Sequence, residues 1–266
     1  MPFADPWLVA RMYDRARLGR AEVELHPAIR EAVTAYITAV SAATLGAPPG
    51  HIALANRSDD PPDLGAFPDD STWRQLIDRY IRPAVTRVFE AAYLALAAAR
   101  DRLPAASDQH TTALASRLAS FPRRVWDRVR AAATPHTGES AAQLRQRVAD
   151  LMALEEWDGQ VLTMTRTEAH TALNAGALAA ALDEQQRTGK RWVKRWQATH
   201  DEKVRADHLA ADGQLQPLAT PFAVGGTRLQ FPGDPHGPPD QVINCRCAMR
   251  LAPEGDLPLT AAAAPP

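Results

Sequence analysis

The two cysteines of the 266-residue chain, Cys245 and Cys247, stand one residue apart in the run Ile243-Asn244-Cys245-Arg246-Cys247. In an extended chain, residues two apart face the same side, so both sulfurs would project together. Bridging them to each other would close a small, strained ring, which leaves a shared metal or a pair of reduced, buried thiols. Thiolate and imidazole together suit zinc, and His208 or His236 would complete such a site. So few cysteines exclude a disulfide-stapled secreted scaffold and point to a reducing compartment.

Upstream, Asp201, Arg205, His208 and Asp212 fall at i, i+4, i+7 and i+11, which on one helix is a single stripe. Spacing alone favours a solvated face laced by weak ion pairs; the alternative is an internal polar network or a ligand site. Two enzyme classes would use residues of these types. His200-Asp201-Glu202 spells the His-x-Glu of a zinc-dependent nucleobase deaminase, but that chemistry needs Pro-Cys-x-x-Cys at a helix start, and here one residue separates the cysteines. A Cys-His hydrolase built on Cys245 or Cys247, His208 and Asp212 lacks any sequence mark of an activated thiol or an oxyanion hole. Glu168 is a candidate base in such schemes, and more simply a helix carboxylate paired with Arg205.

Basic residues concentrate in two places. Lys190-Arg191-Trp192-Val193-Lys194-Arg195-Trp196 mixes cations with aromatics, and its expected form is an amphipathic strand with Trp192 and Trp196 inward and Arg191 and Arg195 in water. Arg123, Arg124, Arg128 and Arg130 form a basic helix end. Contact with packaged DNA through such local patches is the minority alternative at both. His51, His110 and His136 need no special role.

The elements that must position these residues follow from periodicity. Apolar residues at helical spacing predict a helix over Pro27–Leu45, then a long loop over Ala47–Asp70. Ser71 is the expected N-cap of a second helix toward Arg102, kinked or restarted at Pro83. Shorter helices are expected at Ser107–Ser120, Pro122–Ala133 and Ser140–Trp157, and a long one from Asp158 to about Arg187, closed by Gly189 in a left-handed cap. Then the texture changes. Arg191–Ala198, Thr227–Phe231 and Val242–Leu251 have the composition of short strands, with a helix over Asp201–Ala211 between the first two. The expected class is therefore α+β: a largely helical region over 1–157, a small domain over 158–252 with a long helix and a short sheet, and a mobile Pro/Ala tail over 253–266.

Composition sets the outer bounds. Hydrophobic residues make up 45% and charged residues 23%, as in an ordinary globular protein with a core. A formal net charge of −1 gives no global basic surface for coating nucleic acid. No uninterrupted apolar run reaches the length of a membrane span, and Met1–Arg20 carries Asp5, Arg11, Asp14 and Arg15 where a signal peptide needs an apolar core. No membrane association is expected.

One ordered string joins these features: Arg166-Thr167-Glu168, Asn174, Trp196, Asp201, Arg205, His208, Asp212-Gly213, Phe222, Gly225, Pro232-Gly233-Asp234-Pro235 and Asn244-Cys245-Arg246-Cys247. Over Leu162–Leu251 it resembles the phage Mu F-like family of minor capsid and head-morphogenesis proteins. The resemblance implies a structural, non-enzymatic protein of a tailed-phage or prophage head, near the portal vertex in the virion and in the host cytoplasm during assembly. It implies the portal protein or the major capsid protein as partners; docking by the region over 1–157, which carries no motif of the family, is an extrapolation from that. Family members' Cys and His residues have suggested metal binding, with zinc as the candidate. Some relatives carry toxin or ADP-ribosyltransferase domains after this segment; no such fused effector is expected here.

Overall fold

The computed structural model describes residues 6–49, 60–65, 67–98 and 101–256, with side chains from residue 15 onward. His51, part of the expected loop and the tail beyond residue 256 lie outside these residues. The chain divides into two compact units: Met1–Leu25, Ala84–Thr112 and Thr163–Pro266 form one, and His26–Pro83 with Ala113–Leu162 form the other.

The first helix, α1, runs Pro6–Leu45, not from Pro27. A proline inside a helix loses a hydrogen bond and crowds the preceding turn. Here the apolar stripe Leu18, Ala21, Leu25, Ile29, Val33, Tyr36 is buried on both sides of Pro27, so burial outweighs that local cost. Next come α2 (Asp70–Leu76), a π-helical turn (Ile77–Ile81) and α3 (Arg82–Leu94). Asp69, not Ser71, caps α2: its carboxylate accepts from the Ser71 and Thr72 amides. The predicted kink at Pro83 is this π turn, whose widened ring is closed by the Arg82 amide on the Ile77 carbonyl. The helix ends at Leu94, short of the expected Arg102.

Four helices follow: α4 (Leu103–Thr112), α5 (Leu114–Leu118), α6 (Ser120–Ala132) and α7 (Ala141–Leu151). Ser140 and Gln143 form a reciprocal capping box on α7. A 3₁₀ turn (Leu154–Trp157) leads into α8 (Asp158–Thr188), which Gly189 closes at φ +69°. In the second unit, Tyr36, Trp73 and Phe121 pack with ring centroids 4.6–5.8 Å apart, and the buried Arg145 donates to the Leu45 and Asp60 carbonyls. Arg145 thereby satisfies a carbonyl at the C-terminal end of α1.

Two of the four arginines of α6 are ion-paired. Arg123 pairs with Asp127, while Arg128 pairs with Glu156 and stacks 4.4 Å over Trp157.

In the first unit, β1 (Trp192–Gln197) is the centre of an antiparallel sheet, between β2 (Leu215–Pro217) and β5 (Ala248–Pro253). A hairpin of β3 (Phe222–Val224) and β4 (Thr227–Leu229) turns at Gly225-Gly226, both at positive φ as a two-residue hairpin requires. Two short helices, α9 (Ala206–Ala210) and α10 (Pro239–Val242), sit in the connections. Trp196, Phe222, Leu229, Phe231, Leu178 and Met249 form the core with both cysteines. No helix among the described residues is long and apolar enough to cross a membrane.

Three local expectations change. The expected amphipathic strand is buried on both faces: Arg195 is 2% exposed and Lys194 fully buried, its Nζ donating to Gln230 and lying over the Phe222 ring. The expected helix over Asp201–Ala211 is only α9, because the Asp201 carboxylate accepts from the Lys203 amide in a local turn and Arg205 is extended, at ψ 144°. The expected strand over Val242–Leu251 begins only at Ala248, because Asn244 takes φ +58° and breaks it.

A buried cysteine-histidine centre as the candidate functional site

α9 exists to deliver one side chain. His208, 1% exposed, packs edge-on against Trp196 with centroids 5.4 Å apart and turns Nδ1 to both sulfurs, 3.6 Å from Cys245 Sγ and 3.4 Å from Cys247 Sγ. Its Nε2 lies 3.0 Å from Gln241 Oε1, and Gln241 Nε2 donates to Asp207 at 3.0 Å. An accepting Gln241 oxygen assigns the imidazole proton to Nε2, so the Nδ1 lone pair faces the thiols. Among the described residues, these three are the group whose ligand atoms converge, all within 4.8 Å of one another.

The geometry fits a thiophilic ion. Tetrahedral zinc with ordinary Zn–S and Zn–N bonds holds N and S about 3.5 Å apart, and the observed separations are 3.4 and 3.6 Å. Gln241 supplies the outer hydrogen bond that orients a metal-binding imidazole. His236 does not join: its ring is exposed and bonded to Asp234. His200 is likewise elsewhere, 2.7 Å from Asp212, so the His-x-Glu sequence does not meet the cysteines.

The thiols are unequal. The Cys247 thiol beside Cys245, helped by the positive Arg205, holds the Cys245 thiol below its ordinary range. Cys245 and burial push the Cys247 thiol far up. Both cysteines are 2% exposed. That favours packing or ligation over attack on a substrate.

The other motif residues lock this centre into the unit. Arg246 forks onto Asp201 at 2.5 and 2.7 Å, and Arg205 donates to the Ile243 carbonyl. Asp201, Arg205, His208 and Asp212 thus have separate partners rather than one helical stripe. Asp212 accepts from the Ala198 amide, and Gly213, at φ +81°, returns its amide to the Trp196 carbonyl. From α8, Thr171 donates to the Gly233 carbonyl and Asn174 to the Pro232 carbonyl, while Thr167 accepts from the Asn244 amide. Buried Asp234 closes its own turn by accepting from the Gln230 and His236 amides. Glu168 is buried on the same helix. Sequence reading missed Gln241 and Thr171. Gln241 follows Pro-Pro-Asp with no spacing signal, and Thr171 has the look of an ordinary helical residue.

Residues 127–250 match the family model described as Phage Mu protein F like protein. Over these residues the chain is similar to the phage Mu F-like family. The Mu F-like segment begins inside α6, well before Leu162, so helices without a recognisable motif are also part of it. Its last residues include the whole Asn-Cys-Arg-Cys run. Comparison with curated proteins and with solved structures returns no match.

Proposed function

We propose that this chain is a minor head protein of a tailed bacteriophage or prophage, associated with the portal and capsid and acting in head morphogenesis or in DNA packaging and delivery. The Mu F-like segment over residues 127–250 carries the reading. The contacts of its motif agree with a structural role, since Arg246, Asn244, Asn174 and Asp234 are spent on internal anchoring. In this reading the site is the virion, with the host cytoplasm during assembly. Residues 1–157 supply docking surface and residues 158–252 form the anchored domain, while Pro253 still belongs to β5 and the Glu254 amide donates to the Arg191 carbonyl. Packaged DNA is at most a local contact.

Cys245, Cys247 and His208 would hold zinc, which when bound supplies a cross-link between α9 and the chain entering β5. The protein's own part is to orient the imidazole through Gln241 and to exclude water with Trp196 and Phe222. Elemental analysis reads this directly: about one zinc per chain supports a bound site, and none supports buried thiols.

A thiol enzyme is the second reading, favoured by one observation, the series Cys247–His208–Gln241–Asp207. Iodoacetamide labelling of the folded protein far faster than free cysteine supports it. Quantitative mass spectrometry of gradient-purified particles tests the first reading. Low-copy presence in heads or assembly intermediates is expected, and consistent absence from both overturns it.

A further inference from the structure

One face of α1 and one face of α3 enclose a groove of about 510 Å³ within the first unit. Its floor is apolar and shallow, made by Ala91 and Ala92 of α3, Ala95 in the turn that follows it and Leu173 of α8. Alanine side chains leave room above them, so another helix can approach closely. The α1 wall is Arg17, Arg20, Ala21 and Glu24, the i, i+3, i+4, i+7 pattern of one helical face.

The charges on the rim do not balance. Arg87 is neutralised by Glu24 at 2.7 Å, whereas Arg17 and Arg20 have no ion-pair partner among the described residues. Two guanidinium groups without an ion-pair partner among the described residues therefore flank an apolar floor. A nucleic-acid backbone would satisfy the cations but has nothing to place on alanines and a leucine. A helix with carboxylates on one flank and small apolar side chains beside them satisfies both.

We propose that this groove docks an acidic amphipathic helix of a partner protein, its carboxylates meeting Arg17 and Arg20 and its apolar face lying on the Ala91–Ala95 floor. The proposal does not rest on the head-protein reading, and purified full-length chain is enough to test it.

The probe is a fluorescein-labelled synthetic helix of Glu, Ala and Leu in heptads, set against the same peptide with every Glu replaced by Lys. Anisotropy should show the Glu peptide binding about tenfold or more tightly than the Lys peptide, with the gap shrinking at high salt. Arg17→Glu with Arg20→Glu should invert the order, and Ala91→Trp, which fills the groove, should weaken both peptides. Arg17→Gln with Arg20→Gln should abolish the preference if the reversed pair misfolds. Equal binding of the two peptides overturns the proposal, as does an unchanged order in the charge-altered variants. Full displacement by duplex DNA also overturns it, as does charge-sensitive self-association in place of peptide binding.

Discussion

Replacing Arg246 by alanine removes the middle residue of the Cys-x-Cys run and leaves both cysteines in place. The guanidinium makes two bonds to Asp201, at 2.5 and 2.7 Å, with side chains 24% and 32% exposed. An exposed pair contributes about 0.2–1 kcal/mol, and breaking a fully buried one costs about 3–5 kcal/mol. Two charge-assisted bonds at this intermediate depth place the loss near 2 kcal/mol. For a chain of this size that is a fall in melting temperature of about 4–8 °C. Lysine should restore less than half, because a point charge cannot reproduce the fork. Arg246 also holds the Asp201 carboxyl below its usual range, mainly through their hydrogen bonds. A depressed carboxyl contributes stability above its unfolded pKa and loses it as pH falls through the folded one. The gap between wild type and variant should therefore close below about pH 4. Chemical denaturation of Arg246→Ala, Asp201→Asn and the double variant measures the coupling. An unchanged midpoint in the arginine variant, or additive single losses, would refute the reasoning and return Arg246 to a surface role.

Two further outcomes follow from single positions. Asn244 has φ +58° with Oδ1 buried and unpartnered, so Asn244→Ala should cost about 1–2 kcal/mol while Asn244→Gly stays within about 0.5 kcal/mol of wild type in urea titrations; equal losses would assign the side chain a contact of its own. Burial lowers the Lys194 ammonium from 10.5 to about 8, so the folded chain releases this proton before the unfolded chain does. Stability of wild type relative to Lys194→Met should then rise between about pH 8 and 10.5, by up to about 3 kcal/mol, and a flat difference across that window would count against a buried ammonium.

Much of the architecture was legible where one signal dominates locally. The Asp158–Thr188 helix and the Gly189 cap follow from periodicity and from the one residue type that takes positive φ freely. The approach of Cys245 to Cys247 was also legible, although the reason was wrong: no strand holds them, and a turn at Asn244 brings the sulfurs to His208. What stayed hidden depends on partners distant in sequence. Arg195 is read as solvated by any rule that assumes β1 has a free face, whereas Val193, Lys194, Arg195 and Trp196 are all buried in the folded chain. Asp201 is spaced for a helix, yet its carboxylate serves the Lys203 amide and Arg246 instead. Gln241, the residue that sets the tautomer of His208, lies 33 residues from it, with nothing in its neighbours to mark it.

The central claim is that the cysteine-histidine centre holds a head protein together and performs no reaction. It is tested most directly by complementing a phage that lacks this gene with Cys245→Ser, Cys247→Ser, His208→Gln, Arg246→Lys and Asn244→Gly alleles. The yield of DNA-filled heads is then set against the unfolding free energy of each purified protein. All alleles should fall on one curve, with assembly failing only as far as folding does. A cysteine or histidine variant that folds with wild-type stability yet yields no filled heads would contradict the claim and place chemistry at this centre.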